Sequence, residues 1–372
     1  MNKDIIAFED RIVSLPQLGN YGIAFAEIMK LFGTKVIMPP PITKRTIELG
    51  TKYSPEGVCV PFKYNLGNYI ELAEKGANYL IQAGAGCRYG YYGEVQKKIL
   101  EDLGYNVQFV TLNRVFDLVG LYKRIKKENP RQNVLSFGRT MVMAFLKLRA
   151  IDALEDLCRK NVGFEVRKGH IEGLFRAFMA ELERATTFRK VRSIKRKYLR
   201  LIASVPVVKP DNPLRVGVVG EVYVLMEPFS NFYLEKILGK MGVEIHRHVD
   251  VTNVIRDSLQ WKAYIKRQLK GARPYLTYDL GAHGTSSVAV SHRLMKQGFD
   301  GIIHIKPFGC LPEINAMPML NKVSRDYHCP VVYFSFDSQT SENGVKTRLE
   351  AFYDMLVFKR KKQKTFIKKE KL

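Results

Sequence analysis

Apolar residues in this chain fall into short continuous runs that alternate with stretches of three- and four-residue periodicity. The first kind predicts strands buried on both faces, the second helices with one face on a core. Residues 12–32 read as strand, turn and amphipathic helix, capped by Gly33. A short strand, Lys35-Val36-Ile37-Met38, meets Pro39-Pro40-Pro41, and Thr43 to Gly50 predicts a brief helix. A helix over roughly 63–75 ends at Gly76, a strand covers 77–81, and a helix over 94–103 ends at Gly104. Val107-Gln108-Phe109-Val110 is the next strand. Strands alternating with helices in this way indicate a parallel sheet covered by helices on both faces.

From Asp117 to Leu201 the periodicity is almost continuously helical, as in Ile171, Leu174, Phe175, Phe178 and Leu182. The alternating pattern resumes at Leu214-Arg215-Val216-Gly217-Val218-Val219-Gly220-Glu221. It runs on through a helix at 231–241, a strand at 243–245 and helices around 256–268 and 285–297. Then come the apolar run Gly301 to Phe308, which leads to Cys310, the strand Val331–Phe334 and a closing helix, Asn343 to Phe358. The expected fold class is therefore α/β, with two like parallel-sheet domains facing each other across a crevice and an inserted helical region. The expected boundaries are 1–116, 117–210, 211–356 and a basic tail, 357–372.

Length supports more than one core, since 372 residues exceed an ordinary single domain. With 46% apolar and 26% charged residues the composition is that of a globular protein. No apolar run approaches a membrane span, and Met1-Asn2-Lys3-Asp4 lacks a signal peptide's apolar segment. A cytoplasmic protein is the expectation. The net charge of +24 is concentrated: residues 189–200 carry +7, and 359–372 carry eight basic residues against one acid. A solvated helix face and tail are the ordinary reading of such runs. Docking of an acidic partner, such as an ATPase or electron donor, comes second. Nucleic acid comes last, because no recognised binding motif accompanies the charge.

Five scattered cysteines are too few for a disulfide framework, which turns attention to metal or redox chemistry. Cys310 follows the apolar run at its carboxyl end, with Gly309 before it and Pro312 after, at the sheet edge where open α/β folds bind ligands. Cys59 sits in Pro55-Glu56-Gly57-Val58-Cys59-Val60-Pro61, and Cys87 in Gly84-Ala85-Gly86-Cys87-Arg88-Tyr89-Gly90. Cys158 falls at a helical position and Cys329 just before a strand, so both read as packing residues. An iron–sulfur cluster needs thiolates on loops and close backbone N–H groups, which Gly86 and Gly309 allow. Our reading is that Cys59, Cys87 and Cys310 converge on one metal centre. Their separations of 28 and 223 residues match neither a ferredoxin nor a zinc finger. On residue chemistry alone, buried thiols that merely fill space stay an open alternative.

The segments 55–63, 71–80 and 307–313 resemble the cysteine motifs of the CoA-enzyme-activase-related proteins. These are relatives of the iron–sulfur component of 2-hydroxyacyl-CoA dehydratases and benzoyl-CoA reductases. The closing segment 337–352 is also similar to that family's end, as is Val218-Val219-Gly220-Glu221 with Asn231. The resemblance spans most of residues 10–356, is most specific at Cys310 and the closing segment, and is looser around Cys87. It implies a 4Fe–4S cluster, or a larger bridged one, held by three cysteines between two Rossmann-like domains. It also implies low-potential electron transfer, with an ATP-hydrolysing activator as partner and an acyl-CoA as ligand. A homo-oligomer is left open.

Gly217-Val218-Val219-Gly220-Glu221 lacks the Gly-Lys-Ser/Thr pattern of a P-loop. Gly281 to Ser286 reads either as a phosphate site at a helix start or as a tight turn. Glu221 and Glu313, at strand ends, are candidates for proton-handling carboxylates, with helix caps or surface acids as the alternative. His246, His248, His283 and His304 show no metal-ligand spacing and read as structural. Tyr89, Tyr91 and Tyr92 either shield a cluster or belong to a core. The rival functions are a metal-free α/β binding or scaffold protein and a basic adaptor on nucleic acid.

Overall fold

A computed structural model describes residues 6–83, 87–112 and 117–370. Contacts divide the chain into two compact units. The first comprises Met1–Ala153, Ala177–Tyr198 and Asp250–Tyr264, the second Leu154–Arg176, Leu199–Val249 and Ile265–Leu372. Among the described residues no helix is long and apolar enough to cross a membrane.

The first unit begins β1 (Ile12–Ser14), α1 (Gly22–Met29), β2 (Lys35–Val36), α2 (Lys44–Tyr53) and α3 (Val60–Glu74). It continues through β3 (Tyr79–Ala83), α4 (Tyr92–Asp102), β4 (Gln108–Leu112) and α5 (Leu118–Glu128). Its four strands are parallel, in the order β2-β1-β3-β4. Side chains alternate across a strand, and β3 shows both faces covered. Tyr79 and Ile81 join a core with Met29 and Phe32 at α1 and Leu121 and Ile125 of α5, while Leu80 joins Phe62, Leu66, Tyr69 and Leu100 of α3 and α4. Local chemistry sets the helix starts. Thr43 and Thr46 form a reciprocal capping box at α2.

The helical stretch holds α6 (Val134–Asn161), α7 (His170–Glu183) and α8 (Phe188–Ala203). By contacts, the residues expected to form a separate insertion, 117–210, are shared between the two units.

The second unit repeats the plan with β5 (Leu214–Gly220), α9 (Val222–Met226), α10 (Leu234–Lys240) and β6 (Val243–Arg247). Then follow α11 (Val251–Leu259) and α12 (Trp261–Ala272), two helices where one was expected, separated at Gln260. After α13 (Gly284–Lys296) come β7 (Gly301–Pro307), α14 (Leu311–Asp326), β8 (Val331–Phe336) and α15 (Glu342–Glu370). The sheet is parallel, ordered β6-β5-β7-β8. Val219 and Ile302 pack with Val288, Leu294, Ala316, Leu320 and Val323 of α13 and α14.

Two elements depart from expectation. The sequence reading has no helix after Cys310, yet α14 starts there. Pro312 is tolerated in the first turn, whose N–H groups lack intrahelical partners anyway. Pro318 lies inside the helix and is carried by the buried face of Ala316, Leu320 and Val323. The basic tail continues α15, and its start is built into the unit: the Arg360 guanidinium lies 2.5 Å from Asp300 and donates to the Asn212 and Pro213 carbonyls.

Gly220 closes β5 with φ +138°, and a Cβ there would lie 1.8 Å from the Ile305 carbonyl oxygen. Gly220→Ala is therefore expected to destabilise the protein by about 3 kcal/mol, because backbone stands on the obstructing side. Denaturant unfolding measures this; a loss under about 0.5 kcal/mol would contradict the close approach.

Candidate functional site

With the first strand of each sheet in its interior, the chain crosses over it to reach the third strand. Helices then leave the two central strands towards opposite faces. The carboxyl ends of that central pair form the crevice where such sheets bind ligands. In the first unit the pair is β1 and β3, in the second β5 and β7. Cys87 follows β3 and Cys310 follows β7, so each third strand runs into a cysteine.

In the first unit, Cys59 is the N-cap residue of α3, with Pro61 in the first turn. Its Sγ lies 2.9 Å from the Tyr92 hydroxyl. Burial, then the nearby Cys59 sulfur, push that phenol well above the usual tyrosine range. Tyr92 in turn meets the Phe62 ring edge-on at 4.8 Å and the Tyr89 ring at 5.6 Å. Tyr89 ties in the second cysteine, because its backbone N–H donates to Cys87 Sγ at 3.4 Å. The Tyr89 hydroxyl accepts from Asn65 of α3, and its carbonyl accepts from Gln82 of β3 at 3.0 Å. Thus Cys59 is tied to one member of a tyrosine pair, Tyr92, and Cys87 to the other, Tyr89. Cys87 is exposed, whereas Cys59 is partly buried. Of the three tyrosines singled out, Tyr92 belongs to the core and Tyr91 is 76% exposed. Gly86 lies outside the described residues.

In the second unit, Cys310 is the N-cap residue of α14, again with proline at the second helical position. Gly309 before it has φ +76°, a left-handed conformation that glycine adopts without steric cost. Cys59-Val60-Pro61 and Cys310-Leu311-Pro312 thus share one local design, a cysteine at the partly positive amino end of a long helix. The start of α13 crowds the same place: a Cβ on Gly284 would lie 2.4 Å from the Pro312 carbonyl oxygen. The Gly281–Ser286 segment is tied back to the residues before it, with Thr285 donating to Asp279 and accepting from the Leu280 N–H.

Four more ionisable groups gather at this edge. Glu221 caps α9, accepting from the Tyr223 and Val224 N–H groups at 3.0 Å each. Burial pushes its carboxyl up to about 7; the two N–H bonds oppose the shift, and the charge of Glu313 adds to it. Glu313, only 1% exposed, sits three positions into α14, where a capping-box glutamate would turn back to the N-cap backbone. It turns inwards instead, to His304 of β7, Nε2 to Oε2 2.8 Å. The other atoms of this pair, Glu313 Oε1 and His304 Nδ1, are buried with no hydrogen-bond partner among the described residues. Lys306, two residues along the same strand, is buried and donates to Ser335 at 2.8 Å. Burial holds its ammonium below the usual lysine range, against the opposing pull of Cys310 and Glu313.

Sequence reasoning named Glu221, Glu313 and Cys310 but not their partner Lys306, and it treated His304 as merely structural. The only signal was two long polar side chains, at 304 and 306, sharing one face of an otherwise apolar strand. Cys158 and Cys329 lie elsewhere, their thiols raised by burial to about 12 and about 11. Cys329 belongs to the second unit's core. Among the described residues, no group of three or more His, Cys, Asp or Glu side chains is gathered so as to hold a metal ion.

No protein-family profile matches the chain, and no curated protein matches its sequence.

Glu221 carries a pH signature. Its folded-state carboxyl titrates above the ordinary value of 4.5, so between that pH and about 7 the folded chain keeps a proton that the unfolded chain has lost. Stability from this group is complete below that window and falls as pH rises through it, by up to about 3 kcal/mol. Glu221→Gln removes the effect, so its stability relative to wild type should rise by a few kcal/mol between about pH 5 and about pH 8. A difference that stays flat over that range would show that Glu221 is not the titrating group.

Proposed function

We propose that this chain is an iron–sulfur protein of the 2-hydroxyacyl-CoA dehydratase-related, activase-related class, with Cys59, Cys87 and Cys310 as ligands of a 4Fe–4S or larger bridged cluster. The observation that carries the reading is the shared setting of Cys59 and Cys310. Each is the N-cap of a long helix, with Val or Leu next and Pro second. A helix amino terminus favours thiolate over thiol, and thiolate is the ligating form. The donor set therefore suits a cluster that takes soft sulfur ligands. When bound, such a cluster supplies one-electron chemistry at low potential.

The surrounding residues have roles of their own. The Tyr92 hydroxyl, within hydrogen-bond reach of Cys59 Sγ, tempers charge on that sulfur. Lys306 supplies positive charge near Cys310. Glu221, titrating at about 7, can hold or release a proton at neutral pH beside the same loop. An ATP-hydrolysing activator or another low-potential donor is the partner this reading calls for, and an acyl-CoA thioester is the ligand class.

Anaerobic purification with iron and sulfide analysis and electron paramagnetic resonance tests the proposal. About four irons per chain are expected after reconstitution of a 4Fe–4S cluster, and more for a larger bridged one. Cys310→Ala should abolish the signal, while Cys158→Ala, at a thiol raised to about 12 by burial, should leave it intact. Equal iron content in the two variants, or iron well below that level in the wild type, sinks the ligand assignment and favours a metal-free binding protein.

A further inference from the structure

The basic segment 189–200 forms most of α8, a helix with two sharply different faces. Val191, Ile194, Tyr198 and Ile202 are buried, at most 4% exposed, and form one seam along the helix. Arg189, Arg192, Arg196 and Arg200 are all exposed. At 3.6 residues per turn these four arginines fall within an arc of about 80° opposite the buried seam, along about 16 Å of axis. Lys190 and Lys197, also exposed, flank the stripe on one side. On the other, Lys195 lies beside Arg149 of α6; burial and then that neighbouring cation hold its ammonium below the usual range. Acids are few: Glu181 pairs with Lys197 at 2.6 Å, and Asp152 acts on Lys195 from a distance. No acidic residue occurs between Arg189 and Arg200.

A row of guanidinium forks on a rigid helix, one per turn, suits a ligand that is itself a regular line of anionic oxygens. Phosphodiester backbones have that character, with about one charge per 3.4 Å along each strand. Arginine forks match phosphate geometry, and a net charge of +24 with a pI near 9.7 adds long-range attraction. An acidic protein patch would not require a straight stripe of one residue type. We infer that the exposed face of α8 docks the sugar–phosphate backbone of a nucleic acid, independently of any metal centre. The contacts named are all to phosphates, so binding should show little base preference.

Fluorescence anisotropy with labelled single- and double-stranded DNA and RNA oligonucleotides, on the full chain at about 50 and about 200 mM salt, tests this. Wild type should bind, and more weakly at the higher salt. The triple variant Arg189→Gln, Arg192→Gln, Arg196→Gln should lose at least about tenfold in affinity and lower the logarithmic salt slope by about 2–3. These side chains are exposed and repel one another, so thermal melting should not fall. The variant Lys361→Gln, Lys362→Gln, on α15, should have a much smaller effect. Three results would overturn the inference: no wild-type binding at the lower salt, an unchanged slope in the arginine variant, or loss confined to the α15 variant. Arginine-dependent binding to polyglutamate without binding to oligonucleotides would also overturn it, assigning the face to an acidic protein.

Discussion

Parallel pairing with the first strand inside the sheet is the constraint from which most of this molecule follows. Each unit must cross its own first strand to reach the third, and right-handed crossovers put the connecting helices on opposite faces. The alternation of Tyr79, Leu80 and Ile81 between two apolar cores records that arrangement in three residues. The same geometry leaves the carboxyl ends of β1 with β3, and of β5 with β7, uncovered by any crossover. In both units the chain emerging from the third strand carries a cysteine, at 87 and at 310. Topology thus gives the two cysteines like places in their own units, whatever their spacing along the chain.

The edge of the second sheet is costly to assemble. Glu313 bonds to His304 and acts by charge on Glu221 and Lys306, and Glu313, His304 and Lys306 are nearly inaccessible to water. Burying an ion costs several kcal/mol unless partners compensate, and losing one partner of a buried pair typically costs about 3–5 kcal/mol. Compensation here is partial. Glu313 and His304 satisfy one atom each, Lys306 relies on a neutral serine, and Glu221 on two backbone N–H groups. An apolar edge would be more stable. What the polar edge provides is an ammonium, Lys306, that feels the charge of Cys310 and Glu313 in a buried setting.

The alternation of strands and helices was legible in the sequence because burial on both faces writes itself as apolar runs. Helix ends at Gly76 and Gly104, both left-handed, were legible too. Where long-range contact decides, the sequence was silent. Two prolines in 311–326 argue locally against a helix, yet α14 forms because its apolar face has α13 to lie against. Arg360 reads as one cation in a charged tail, whereas the fold gives it Asp300 and two carbonyls 148 and 147 residues away. Cys59 and Cys310 each begin a Cys-X-Pro tripeptide, but only helix starts at Val60 and Leu311 turn that tripeptide into an electrostatic setting. The tie between Cys59 and Tyr92 spans 33 residues and has no local trace.

The two basic segments look alike in composition and differ in physics. At the start of the tail, Arg360 faces inwards and is 20% exposed, so that charge is consumed by structure. Along α8 the arginines stand on the side away from the core. One countercharge, Glu181, meets a lysine at the flank of the stripe. An exposed pair of that kind contributes at most about 1 kcal/mol and is screened by salt, so it cannot cancel the field of four aligned guanidinium groups. Holding like charges in a row opposes folding of the helix, and the buried seam of Val191, Ile194, Tyr198 and Ile202 offsets that repulsion. A segment needed only for solubility gains nothing from such rigidity, since a mobile chain spreads its charges further apart. Pre-ordering becomes useful when an extended anion must be met without paying entropy at the moment of contact.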